Sequence, residues 1–284
     1  MNINWYPGHM KKTKESIKKN LSLVDIVYEI IDARIPYSSQ NPDINNIVGE
    51  KPRLIVLNKS DLADQKANTI WQNYFKESGL HSVLVDCINN RGLDDVIQLT
   101  YSLTEKKRLA LGAKGIKNRP VRAMIIGIPN VGKSTFINSL SKRKGAKVGN
   151  KPGVTKTNQW IKIKGNLELL DTPGILWPKF DDKNVGLNLA FTGAIKDELL
   201  DIETLTIKLV DRLNSISDKL IERRYNITVG DKSPYEIILE IGKKRGCIIK
   251  GGEVDFIKAC NIILDEFRKG IIGRITLELP DQIK

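Results

Sequence analysis

Residues 127–135 read Gly127-Ile128-Pro129-Asn130-Val131-Gly132-Lys133-Ser134-Thr135, a Gly-x4-Gly-Lys-Ser signature. No other stretch constrains the fold as strongly. The pattern works where a buried strand ends, backbone N–H groups converge on an anion and a helix begins. Val121-Arg122-Ala123-Met124-Ile125-Ile126 supplies the strand, and a helix is expected from Lys133. In that setting the glycines let the backbone approach phosphates, Lys133 reaches the β and γ phosphates, and Ser134 offers its hydroxyl to Mg²⁺. Asn130, Val131, Gly132 and Thr135 are assigned to the same nucleotide-binding loop.

The flanking pattern places this loop in an α/β sheet. A basic helix is expected over residues 8–20, then strands at Leu23–Ile31, Arg53–Leu57 and His81–Asp86. Helices are expected over 64–78 and from Gly92 to about Ala110, followed by a Gly- and Lys-rich linker, residues 111–120. Two further strands fall near Gln159–Lys164 and Leu167–Leu170. Strands alternating with helices at this spacing imply a mostly parallel sheet with helices on both faces. Beyond residue 180 apolar positions recur at helical spacing in 201–213, 235–242 and 254–267. The expected division is therefore 1–179, the nucleotide-binding domain, and 180–284, a smaller helical domain.

Asp171-Thr172-Pro173-Gly174 closes the strand Leu167–Leu170. Asp171 there can hold Mg²⁺ through water, and the Gly174 N–H can sense a γ-phosphate. Between the two motifs, Thr155 is the natural second Mg²⁺ ligand, with Thr157 as its rival. Asn58-Lys59-Ser60-Asp61 selects the base. Asp61 can accept from N1–H and the exocyclic amine of guanine, donors that adenine does not present in that arrangement. Asn58 can bond the O6/N7 side, and the Lys59 stem can cover the ring. Two charge-assisted bonds of ~1.5–3 kcal/mol each would discriminate by roughly 10²–10⁴. Asp86–Gly92 forms the next candidate base loop, with Cys87 and Ile88 in contact range, although it matches the usual Ser-Ala-Lys poorly. These features point to GTP and GDP.

The order of the motifs is unusual, because Asp61 precedes Lys133. One cut and one join explain it: the chain ends move to a point after Gly174, and the old ends meet through the linker at 111–120. Every strand keeps its place. The helix after Gly174 would then lead directly into the second domain.

Charge divides the same way. Residues 1–179 carry 29 Lys/Arg against 15 Asp/Glu, whereas residues 180–284 carry 17 against 18. The cations cluster in Lys11–Lys19, in Lys106–Arg122 and in Lys142–Lys164. Segregation of this kind favours a polyanionic partner, most simply RNA, over a merely solvated surface. No apolar run approaches the ~20 residues that cross a membrane, and the first residues lack a secretory signal. Cys87, Cys247 and Cys260 show no metal spacing and read as free cytosolic thiols.

The chain resembles the ribosome biogenesis GTPase A family of circularly permuted P-loop GTPases. The likeness rests on Trp5-Tyr6-Pro7-Gly8-His9-Met10, Asp32-Ala33-Arg34, Asn58–Asp61, Gly127–Thr135, Pro152–Thr155 and Asp171–Pro178. It implies a GTPase that assists assembly of the large ribosomal subunit, contacts its rRNA, and carries a C-terminal helical RNA-binding domain. A cytoplasmic monomer away from the ribosome is expected. Lys243-Lys244-Arg245, Arg268-Lys269 and Arg274 are the cations from which that domain could build a patch. Ile175 occupies the position where many GTPases carry a water-orienting Gln, so another group must serve. The resemblance implies His9 as that catalytic residue beside Lys133, with RNA contact or hinge stacking as its other readings; His81 reads as structural. Asn130 matches the Asn that helps coordinate K⁺ in potassium-stimulated relatives, or else it shapes the loop. Two other functions stay open, an RNA adaptor with incidental turnover and a GTPase of transfer-RNA modification.

Overall fold

A computed structural model of the chain describes residues 10–116, 118–142, 160–163, 166–171 and 182–283. His9, Thr155, Thr157, Gly174 and Ile175 lie outside these residues, as does most of the basic run Lys142–Lys164. The chain divides into two compact units, residues 2–180 together with Glu278–Lys284, and Asp181–Leu277.

In the first unit, α1 (Met10–Leu21) precedes β1 (Ile26–Asp32), α2 (Ile44–Val48), β2 (Arg53–Asn58), α3 (Gln65–Glu77) and β3 (His81–Val85). Next come α4 (Leu93–Leu103), α5 (Glu105–Ala113), β4 (Val121–Ile126), α6 (Lys133–Lys142), β5 (Trp160–Ile163) and β6 (Leu167–Asp171). The sheet order is β3-β2-β1-β4-β6-β5, parallel except for the antiparallel β5–β6 pair. Counted from β4, the strand before the phosphate loop, the same sheet reads 6-5-4-1-3-2. The motif order in the chain is permuted while the neighbours are those of one closed arrangement. Every residue of β1 is buried, as a central parallel strand requires.

Local chemistry sets the element ends. Asp64 caps α3 by accepting from the Ala67 N–H at 2.8 Å, and Trp71 and Phe75 carry that helix onto Ile31, Ile55 and Leu57. The single helix expected from Gly92 is two. It breaks at Thr104, a buried residue whose hydroxyl donates back to the Thr100 carbonyl at 2.7 Å. Such back-bonding bends a helix. The second piece, α5, runs to Ala113 and shortens the expected linker.

In the second unit, α7 (Lys183–Phe191), α8 (Ile202–Ile216), α9 (Asp218–Tyr225), α10 (Pro234–Lys244) and α11 (Phe256–Arg268) pack through Leu205, Leu209, Leu213, Ile237, Ile241 and Ile263. Ser233 and Glu236 form a capping box at α10. Glu266 is nearly buried and accepts from Arg224 at 2.7 and 2.8 Å and from Arg245 at 2.8 Å.

The last residues return to the first unit. The buried Glu278 carboxylate accepts from the Ser38 N–H at 2.7 Å and from the Ser38 hydroxyl, while its carbonyl accepts from the Trp71 indole at 3.0 Å. Ile283 packs beside Trp71 and Phe75. Glu278→Ala would leave the buried Ser38 N–H without its acceptor, costing about 1–3 kcal/mol. A lower urea midpoint with an unchanged slope is the expected result; an unmoved midpoint would show that the tail is not held there.

Candidate functional site

The loops leaving the C-terminal ends of β1, β2, β3 and β4 converge, where open parallel sheets place their ligands. The phosphate loop lies between β4 and α6. Gly127 has φ 155°, and a Cβ there would stand 2.4 Å from the Ile30 carbonyl oxygen. Gly132 has φ 93°, and a Cβ there would meet Asn58 Nδ2 at 2.3 Å. Both positions exclude a side chain, so the cradle is backbone. Lys133 Nζ donates to the Gly127 and Ile128 carbonyls at 3.1 and 2.8 Å, which folds the lysine across the loop. Burial pushes the Lys133 ammonium down to about 8, and Asp171 opposes the shift. Lys133, at the start of α6, and Asp171, at the end of β6, attract each other electrostatically. Ser134 and Thr135 are exposed in the first turn of α6, where helix N–H groups favour an anion. Ser134 and Asp171 are hard oxygen donors suited to Mg²⁺.

The base loop is bound to the phosphate loop through Asn58. Its buried side chain donates to the Val131 carbonyl at 2.8 Å and accepts from Cys87 Sγ at 3.1 Å. Its own carbonyl accepts the Ala33 N–H at 2.9 Å. Val131 is therefore engaged through its backbone, while its side chain is buried. The Cys87 thiol points inward, and burial, with Asp86 and Asp61 nearby, pushes it up to about 12. It acts as a neutral donor. Ile88 is 77% exposed, and Asp86 shapes its turn by accepting from the Ile88 and Asn89 N–H groups at 3.0 Å each. Asp61 is half-buried on a loop pinned by the Ser60 N–H to the Val85 carbonyl at 3.1 Å.

Lys59 adopts φ 58°, a left-handed conformation that turns its side chain back toward the loops. Its Nζ donates to the Asn130 carbonyl at 2.6 Å and to Asp32 Oδ2 at 2.8 Å. Asn130 itself adopts a left-handed φ of 61° within the phosphate loop. His81 is exposed at the start of β3, at the other edge of the sheet from these loops.

The motifs give two further contributors no role. Ser139 of α6 donates to the Cys87 carbonyl at 2.9 Å and fixes the second base loop. Asp32 lies between Arg34, at 2.8 and 2.9 Å, and Lys59. Burial alone would raise the Asp32 carboxyl, yet Arg34 and Lys59 hold it well below the ordinary carboxylate range. A strand-end Asp two residues before an Arg was the available signal.

Residues 122–241 match the family described as a 50S ribosome-binding GTPase. The chain is 44% identical to Ribosome biogenesis GTPase A of Priestia megaterium, over 99% of this chain and 98% of that one. It is 30% identical to the protein of the same name from Thermotoga maritima, over 99% and 96%. The GDP-bound structure of Thermotoga maritima YlqF matches with a TM-score of 0.66 at 27% identity, covering 94% of this chain and 99% of that one. The GNP-bound form matches with a TM-score of 0.64 at 26% identity, covering 96% and 100%.

Asp32→Asn should destabilise the first unit by about 3–5 kcal/mol, because it removes the buried carboxylate that Arg34 and Lys59 share. Urea unfolding would measure this, and a change below ~1 kcal/mol would show the pair to be idle. Because the folded carboxyl is depressed, the wild-type contribution is complete above the ordinary carboxylate range. It is lost as pH falls toward the depressed value.

Proposed function

The chain belongs to the ribosome biogenesis GTPase A family, and from that premise we propose that it assists assembly of the large (50S) ribosomal subunit. It is a ribosome-biogenesis GTPase that binds guanine nucleotide and hydrolyses GTP. The carrying observation is the Asn58 bridge, which holds a guanine-reading loop and a phosphate-reading loop as one surface. Similarity along nearly the whole chain to proteins of that name, and the 50S-binding description of the matched family, support the large subunit as the target. In this reading GTP turnover acts as a checkpoint on rRNA. Residues 1–179, with the returning Glu278–Lys284, form the GTPase domain, and the rest of the expected 180–284 domain binds RNA, joined to the first unit by two chain connections. The protein acts in the cytoplasm as a monomer away from the ribosome.

Asp61 and Asn58 orient the base, and Lys59 is held over it by Asp32. Lys133 exchanges its loop carbonyls for the β and γ phosphates, and Gly174 reads the γ-phosphate. Ser134, Thr155 and Asp171 would hold Mg²⁺, which supplies charge neutralisation between the phosphates. Asn130 would face K⁺. His9 positions the attacking water, because Ile175 cannot.

Asp61→Asn should shift preference from guanine to xanthine nucleotides, since xanthine carries a carbonyl where guanine carries its amine. Paired GTP and XTP titrations test this; an unchanged preference for GTP would remove Asp61 as the base reader.

His9→Ala should lower subunit-stimulated turnover by roughly 10²-fold while GTP affinity stays within about threefold. Single-turnover assays with saturating large subunit give the readout, and wild-type rates would make His9 a docking residue. Co-sedimentation of the GTP-bound protein with large-subunit precursors tests the reading as a whole. Binding to transfer RNA without binding to subunits would sink it.

A further inference from the structure

The edge of the sheet opposite the nucleotide loops holds the N-terminal ends of β1, β2 and β4. Six-residue strands separate the two edges by roughly 20 Å. Asp25, just before β1, is buried. Its carboxylate accepts from Lys107 at 2.6 Å, from Arg119 at 3.0 Å and from the Arg122 N–H at 2.9 Å. Lys51 donates beside it to the Val24 carbonyl at 2.9 Å. Burial lowers the Lys51 ammonium, Lys107 lowers it further, and Asp25 compensates only in part. The Arg122 guanidinium bonds Glu168 at 3.0 Å and lies 4.8 Å from the Trp160 ring centre. Four cations thus share two carboxylates.

Helix α5 extends this surplus. None of its nine residues is buried, and Leu109 is 67% exposed. A helix shorter than ~12–15 residues is marginal in water by itself. The stretch from Lys106 to Arg122 contains no acidic residue. Arg108 lies over the Tyr101 ring at 5.0 Å. Guanidinium planes resting on aromatic faces offer platforms for bases as well as charge for phosphates. A protein-docking face would instead present an apolar centre, and on α5 Leu109 is the large apolar side chain exposed. Of the six cations expected to form a patch on the helical unit, Arg245 is engaged by Glu266, Arg268 by Asp197 and Lys269 by Asp265, while Lys243, Lys244 and Arg274 are exposed.

We propose that α5 and the Lys51–Lys107–Arg119–Arg122 cluster form an RNA-docking surface that grips backbone phosphates at the sheet edge remote from the nucleotide. This rests on the ribosome-assembly reading for its partner.

The test is the full-length variant Lys106→Glu/Arg108→Gln/Lys114→Glu, whose positions are all outside the core. Fluorescence anisotropy with labelled large-subunit rRNA transcripts, titrated across salt concentrations, is compared with wild type. The variant should bind at least tenfold more weakly, with a log–log salt slope shallower by about 2–3, roughly 0.7–0.9 for each phosphate that is no longer neutralised. GTP affinity should not change. Equal affinity and slope in the two proteins would overturn the surface while leaving the ribosomal reading intact. If wild type itself bound neither rRNA nor subunits, the ribosomal reading would fall and this surface with it. A variant that kept naked rRNA but failed to bind intact subunits would assign the face to an acidic ribosomal protein, which also overturns the proposal.

Discussion

The site depends on one buried carboxamide. The Asn58 side chain holds β2 to the phosphate loop through Val131 and to the β3 loop through Cys87, while its backbone carbonyl accepts from Ala33 at the β1 end. A buried amide has few ways to satisfy its donors and acceptors, so these contacts fix the relative heights of four strand ends. Gly132 is a consequence of that bond, since any Cβ there would collide with the Asn58 amide. The glycine usually read as an approach for phosphate also makes room for the base loop. Asp32 acts one layer below. It orients Lys59 toward the Asn130 carbonyl, so the cation proposed to cover the base also braces the phosphate loop.

The parts of this arrangement that sequence reading reached were those with strict local geometry. The phosphate loop needs glycines at fixed spacing between a strand and a helix, and β4, the loop and α6 follow in that order. Asn58–Asp61 was legible because it follows an apolar strand. The failures share a cause. Thr104 looks like any helical threonine until its burial against Thr100 is known, and so one helix was expected where two form. Ser139 sits on α6 far along the chain from the Cys87 carbonyl it holds, and no spacing rule joins them. Glu278 carries a charge that composition places on a surface. It is buried because the Ser38 backbone and hydroxyl replace its water.

Circular permutation leaves the sheet intact because pairing depends on strand direction and register, not on the order in which the chain connects the strands. What matters is that β1 lies beside β4 and β2, and Glu29 pairs with both Ile126 and Ile55. The permutation does change which connections are covalent. The join between α4 and β4 is new surface, and the chain end after the helical unit is free to return. Glu278 uses that freedom, closing onto the β1–α2 loop where Ser39 accepts the Asp32 N–H at 3.0 Å. Ser38 and Ser39 therefore place the tail anchor and the Asp32 backbone on neighbouring residues.

This division explains why so basic a surface can coexist with a site that binds a highly charged nucleotide. Cations at the C-terminal strand ends are engaged by the loops around them: Lys59 by Asp32 and the Asn130 carbonyl, Lys133 by the Gly127 and Ile128 carbonyls. The join is freer at Lys106, Arg108 and Lys114, which are exposed, although its Lys107 and Arg119 pair with the buried Asp25. Changing charge at those three exposed positions leaves the core untouched, whereas the same change at Lys59 would unseat two loops. Charges separated by roughly 20 Å, twice the ~10 Å screening length at 0.1 M salt, scarcely influence one another. The permuted join is thus a place where positive charge can accumulate without perturbing the nucleotide site through electrostatics. Any communication between the two edges must then travel through the strands themselves, above all β1, which carries Asp25 just before one end and Asp32 at the other.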